Sequence, residues 1–114
     1  MQFLNKKIKH DTYNDGFLSI GKISPIYDRA KKRIGEQFNQ IDYLAYSNMT
    51  RRDNDYTFAQ AFGYTLDMKV KVPFRKISTN NKVKIQNEIY DIYKKDEDYP
   101  NIYLYLQKVV LKDD

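Results

Sequence analysis

"NIYLYLQ", residues 101–107, carries large apolar side chains on both sides of what reads as a β-strand. Successive side chains of a strand point to opposite faces, so Ile102, Leu104 and Leu106 share one face and Tyr103 and Tyr105 the other. In a small antiparallel domain the second face is ordinarily polar. A tyrosine-bearing second face must be covered by something, and a chain of 114 residues has room for one core.

The neighbouring segments place this strand in an all-antiparallel sheet. "KVKIQNEIYDIYKK" (82–95) reads as a hairpin turning at Gln86-Asn87-Glu88, with Val83, Ile85, Tyr90 and Ile92 toward the core. Asn87 tolerates positive φ, but the Gly that usually follows in the tightest turns is missing, which argues for a slightly longer turn. "TLDMKVKVPF" (65–74) has the clearest alternation, with Leu66, Met68, Val70 and Val72 on one face and Lys69 and Lys71 on the other. Between these two lies the polar loop 74–82, and the turn 95–100 leads into the last strand, 101–112.

Upstream, "TRRDNDYTFAQAFG" (50–63) changes period. Phe58, Ala59 and Phe62 share one side of a helix, Gly63 ends it, and Thr50 with Asp53 matches a capping box, with Asn54 as the competing N-cap. Before it, "FLSIGKISPIYD" (17–28) and "FNQIDYLAYSNM" (38–49) are strand regions that pair through a long basic tip, 29–37. Residues 1–16 read as a flexible N-terminal arm ahead of a single domain, 17–112. The expected fold is mainly β: a small antiparallel β-barrel or sandwich of five to six strands, with one short α-helix after the second strand.

The composition removes several kinds of chemistry. Without cysteine there is no disulfide framework, thiol nucleophile or thiolate zinc site. The one histidine, His10, falls in the arm beside Lys9 and Asp11, where a general base would lack a fixed position. "DTYNDG" resembles the start of a calcium loop, but the twelfth position from Asp11 is Lys22 where a bidentate Glu is required. The acidic turn Asp96, Glu97, Asp98 reads as solvated. The four isolated glycines make no phosphate cradle. No enzyme activity and no cofactor or metal site is expected. No run reaches the length of a membrane span, and the start does not read as a secretory signal.

A formal charge of +5 fits a nucleic-acid partner as well as a solvated basic face. An OB-like barrel would stack bases on aromatics beside cations, and Lys69, Lys71, Lys82 and Lys84 are placed to share an outer face with Tyr93 or Tyr103. The competing use of such tyrosines is burial against a neighbouring subunit. A binding groove lines its aromatics with cations, whereas an interface core excludes charge.

The order of segments resembles the head closure, or head-tail adaptor, proteins of tailed bacteriophages. The similarity runs from about Phe17 to Leu106. It rests on the short helix "RRDNDYTFAQA" with Asp55, Tyr56 and Ala59, the strand "TLDMKVKVPF", and the hairpin with Tyr90 and Ile92 in a Tyr-x-Ile pattern. "YLYLQK" near the end and "IGEQF" (34–38) complete it. Two departures are Val72-Pro73-Phe74-Arg75, where the family often has an Arg-aromatic pair, and Asn87 in place of a hairpin Gly. The resemblance implies a structural virion protein made in the host cytoplasm, whose copies form a dodecameric ring beneath the portal after DNA packaging. The free form would associate weakly or stay a monomer. The ring would close or gate the channel and dock the tail, with the portal or adaptor ring and tail-completion proteins as partners and no membrane contact. On this reading Tyr103 and Tyr105 contact the next subunit. Arg29, Lys31, Lys32 and Arg33, with Arg75 and Lys76 of the second loop, face the channel or its DNA. A monomeric OB-like module binding single-stranded nucleic acid is the alternative.

Overall fold

A computed structural model describes residues 12–109. Six antiparallel strands close into a ring in the order β1-β2-β3-β6-β5-β4. They are β1 (Gly16–Tyr27), β2 (Arg33–Asn48), β3 (Met68–Pro73), β4 (Lys82–Ile85), β5 (Glu88–Asp98) and β6 (Asn101–Lys108), with one helix, α1 (Asp53–Ala61), between β2 and β3. The expected class therefore holds, as a closed antiparallel sheet with a single helix.

Alternation sets the inside of the ring. Leu18 and Ile20, Leu44, Val70 and Val72, Val83 and Ile85, Ile92, and Ile102, Leu104 and Leu106 all point inward and are buried. Two seams are short: β1 meets β4 over Ser19–Gly21, and β2 meets β3 through Ser47 and Asn48, extended by the Met49 N–H donating to the Lys69 carbonyl at 2.8 Å. The loop expected over 74–82 is tied to the barrel rather than free. Ile77 is buried in the core, its carbonyl accepts from Lys95 Nζ at 2.6 Å, and the buried Asn81 side chain accepts the Ser78 N–H at 3.0 Å.

β3 begins at Met68 rather than 65, and β5 runs on to Asp98 in its ladder with β6, so the turn expected over 95–100 shrinks to Tyr99-Pro100. Three further boundaries differ, each for a local reason. The β4–β5 hairpin turns on two residues only, since Gln86 (φ 48°) and Asn87 (φ 70°) both take the left-handed conformation that a tight turn requires. The helix is capped at Arg52, whose N–H is accepted by the Asp55 carboxylate at 2.9 Å, rather than by Thr50 with Asp53 or by Asn54. The basic tip is shorter than 29–37, because β2 begins at Arg33.

That last difference creates the most conspicuous feature of the fold. β1 leaves β4 at Gly21 but stays paired with β2 as far as Tyr27. Residues 22–27 and their partners therefore run on alone as a two-stranded ribbon, about 20 Å long at about 3.3 Å per residue. Pro25 sits in this stretch, where β1 has no second neighbour to need its missing N–H. At the ribbon's base a Cβ on Gly21 would lie 2.2 Å from the Asn39 carbonyl oxygen and 2.8 Å from the Phe38 ring. Glycine lets the two strands and that ring close together where the register shifts.

Of the arm expected at the N-terminus, residues 1–11, including His10, lie outside the described residues, as do 110–112 of the last expected strand. Residues 12–15 are tied to the end of β2: the Asp15 carboxylate accepts the Asn48 N–H at 2.7 Å, and Ser47 donates to the Thr12 carbonyl at 2.8 Å.

Candidate interaction surfaces

The face of β6 opposite the core is covered from within the chain. α1 lies across the outer side of β3, β6 and β5, and Ala59, Leu66 and Tyr105 form a second buried cluster with Tyr93 and Tyr103 packed on it. Tyr105 is 4% exposed and donates to Asp96 at 2.9 Å. Burial, then the bond to Asp96 and its charge, pushes the Tyr105 phenol far above its ordinary value. Tyr105 is thus unavailable as the inter-subunit contact expected of it, because the chain's own helix occupies that position. Tyr103 stays half-buried at the edge of the cluster.

A register shift between Ile92 and Lys94 turns Tyr93 into the same cluster. Its ring stacks on Tyr64 with centroids 4.7 Å apart, and its buried hydroxyl has no hydrogen-bond partner. Burial, reinforced by Asp55 and Asp67, pushes this phenol up to about 12. Lys94 caps the cluster, 4.4 Å from the Phe58 centroid and 4.7 Å from that of Tyr105.

One ion pair locks the helix to the sheet. Lys69, on the outer face of β3, meets Asp55 at 3.0 Å with side chains only 9% and 10% exposed, and lies 5.0 Å from the Tyr105 ring. Burial alone would push the Asp55 carboxyl up, but the Arg52 N–H and Lys69 outweigh it and hold the group below its ordinary value. The buried Asp55 accepts from both the helix N-cap and this lysine through one oxygen, Oδ2.

The four lysines expected on one groove do not share one. β3 and β4 are not neighbours in the ring, so Lys69 and Lys71 lie apart from Lys82 and Lys84. Lys69 is neutralised beneath α1, Lys71 lies 5.4 Å from the Tyr13 ring, Lys82 pairs with Asp91, and Lys84 sits 5.8 Å from the Phe38 ring.

The ribbon is one surface left without cover. Its tip is a defined turn: the Asp28 carboxylate accepts the N–H groups of Ala30 (2.8 Å) and Lys32 (2.9 Å), and Lys31 takes φ 64°. Arg29, Lys31, Lys32 and Arg33 are all exposed there, Arg33 pairing with Glu36 at 2.9 Å. Beside these cations Tyr27 and Ile34 stand exposed, and nearer the barrel so does Ile41. Because β1, β3 and β5 run in the same direction, the tip, the loop 74–81 and the turn at Tyr99-Pro100 all lie at one end of the barrel. Arg75 is exposed there and reaches Asp42 at 3.6 Å, and Lys76 is exposed beside it. Phe74 and Tyr99, the latter 79% exposed, touch at the same end.

The third surface was not singled out from the sequence. On the outer side of β1 and β2, Phe17 and Tyr43 stack with centroids 5.0 Å apart and planes 7° from parallel. They line a depression of about 470 Å³ with Phe38, Gln40 and Lys84.

Among the described residues no group of three His, Cys, Asp or Glu side chains is placed to hold a metal, and no helix is long and apolar enough to cross a membrane. No protein-family model matches the sequence, and no curated protein matches it.

Proposed function

We propose that the chain is the subunit of a connector ring at the head-tail junction of a tailed bacteriophage, seated beneath the portal, where it closes or gates the DNA channel and presents the docking surface for the tail. The observation that carries this reading is the ribbon. A two-stranded ribbon is marginal in water by itself, and this one leaves Tyr27 and Ile34 exposed. Such an element is completed by a neighbour. A contact between unlike patches, repeated by rotation, closes a ring. Many weak contacts of this kind add up once copies are held together on a larger ring. The tip cations, with Arg75 and Lys76, project from one end of the barrel, which this reading turns toward the channel and its DNA. The likeness in segment order to head closure proteins agrees with it.

The test uses capsids that carry a portal and packaged DNA, from the genome that encodes the chain. Added wild-type protein should build a ring of density beneath the portal in electron micrographs and hold the DNA inside. A variant with residues 25–36 replaced by an Asn-Gly turn keeps the Ile23–Phe38 pair and the barrel, and should fold without building the ring. Wild-type protein that adds no density to such capsids, and sediments as a monomer up to about 100 μM, would remove the reading.

A further inference from the structure

The strands that α1 leaves bare present a different chemistry from the covered face. Phe17 and Tyr43 are 56% and 57% exposed, and their parallel rings stack on each other on the outer sheet, leaving the outer face of each open. Phe38 stands next to them as a half-buried ring with the Lys84 ammonium over it. The rest of the depression is lined by Ser19, Gln40, Gln86 and Asn87, and no carboxylate lines it. Ser19 donates to the Gln40 side-chain oxygen at 2.7 Å, which leaves the Gln40 amide N–H groups to face outward partners. The cation beside these rings has an aromatic neighbour rather than an acid.

The ribbon extends this chemistry. Its two carboxylates are already engaged, Asp28 by backbone N–H groups and Glu36 by Arg33, while Arg29, Lys31 and Lys32 stand exposed. Exposed rings and side-chain amides lie on the barrel part of β1 and β2, and exposed cations lie at the tip of the same two strands, about ten residues or roughly 33 Å further along. This arrangement differs from Lys69 among Tyr103 and Tyr105, where the charge is neutralised by Asp55 and the rings lie beneath a helix.

We propose that this face binds single-stranded nucleic acid: unpaired bases stack on Phe17 and Tyr43, the amides of Gln40, Gln86 and Asn87 meet base edges, and Lys84 with Arg29, Lys31 and Lys32 follows the phosphates. Stacking needs a free base face, which a duplex hides within its own stack, and every base has such a face, so binding tolerates any sequence. A second copy of the chain suits the site less well. An interface core excludes charge, and covering this one would bury Lys84 with no acid on its own surface to meet it. The proposal concerns the isolated chain and does not depend on ring formation.

The experiment follows the fluorescence anisotropy of labelled 15-nucleotide oligomers, dT and rU, titrated with the chain at about 50 mM salt, beside a 15-base-pair duplex. Both single strands should bind, the duplex at least about tenfold more weakly. F17A/Y43A together should weaken dT binding at least about tenfold, with far-UV circular dichroism unchanged, because both rings are mostly exposed. R29Q/K31Q/K32Q should instead reduce the slope of log affinity against log salt by about 2, from about 0.7 per lost phosphate contact. dT binding without rU binding would still support the site and restrict it to DNA. The proposal is overturned by wild-type protein that leaves the anisotropy unchanged at 100 μM, by a duplex that binds as well as the single strands, or by unchanged affinity in F17A/Y43A. A ribbon variant that loses binding while the aromatic variant keeps it would assign the attraction to charge alone and remove the stacking site.

Discussion

Replacing Asp55 with Ala should destabilise the fold by about 4 kcal/mol, more than its position on a nine-residue helix would suggest. Two effects add. The Arg52 N–H loses its cap, a cost of about 1 kcal/mol for an N-terminal cap. Lys69 keeps its ammonium beneath α1 with the 3.0 Å partner gone, and breaking a buried pair costs about 3–5 kcal/mol. The lower part of that range applies, because the lysine can shift along the Tyr103 and Tyr105 rings toward solvent. About 4 kcal/mol corresponds to a fall in Tm of about 20 °C for a domain of this size. Urea unfolding followed by far-UV circular dichroism measures it. The D55A/K69M double variant, with no buried charge left, should recover all but about 1 kcal/mol, the cost of the cap. The pH dependence carries a sign as well. The Asp55 carboxyl is depressed in the fold, so its contribution is complete above the unfolded value of 3.8 and is lost as pH falls through the lower folded value. The acid limb of the stability curve should therefore flatten in D55A. A cost under about 1 kcal/mol for D55A, or single-variant costs that simply add in the double variant, would refute the idea that this pair fastens the helix to the sheet.

Further outcomes follow from single positions. Gly21→Ala should cost about 3 kcal/mol, since its Cβ would meet the Asn39 carbonyl oxygen at 2.2 Å and backbone cannot yield as a side chain does; equilibrium unfolding checks it. Tyr93→Phe removes a buried hydroxyl that has no partner, so stability should stay the same or rise by about 1 kcal/mol. With the Tyr93 phenol pushed up to about 12, the same variant should leave the absorbance change at 295 nm between pH 9 and 11 unaltered. Lys31→Gly relieves a side chain held at φ 64° and should stabilise the ribbon tip by about 1 kcal/mol, visible as slower amide exchange at 28–33 rather than as a change in Tm.

The strands were legible wherever alternation was clean. Residues 68–72 and 101–107 show which side chains point inward, whereas Leu66, expected on the same face, lies before β3 and joins the cluster beneath α1; the two-sided character of 101–107 correctly demanded a cover. What covers it was not legible, because the cover comes from an element about forty positions earlier and depends on the order in which the ring closes. A helix that packs Ala59 and Phe58 onto Tyr105 and Tyr93 leaves only a faint apolar stripe in sequence. Arg52 is an unusual N-cap residue, and Asp55 could be recognised as the capping acid only once its second partner, Lys69, was in place. The ribbon was hidden by its own composition: Gly35 and the basic run read as loop, and residues that gain only a one-sided ladder show no buried face. The exposed pair on β1 and β2 had a usable signal. Phe17 alternates with Leu18, and Tyr43 with Leu44, the same two-sided pattern that marks Tyr103 and Tyr105.

Hydrogen exchange read by mass spectrometry, on the free chain and on the chain bound to portal-bearing capsids, directly separates the surface the chain finishes by itself from the surface it leaves open. Peptides covering α1 and 101–108 should be protected in both states. Those covering 22–40 should exchange rapidly in the free chain and slow at least about tenfold on assembly, as a lone ribbon does when it gains neighbours. The opposite pattern, with the ribbon already protected in the free chain and the helix region gaining protection on assembly, would contradict this assignment of surfaces.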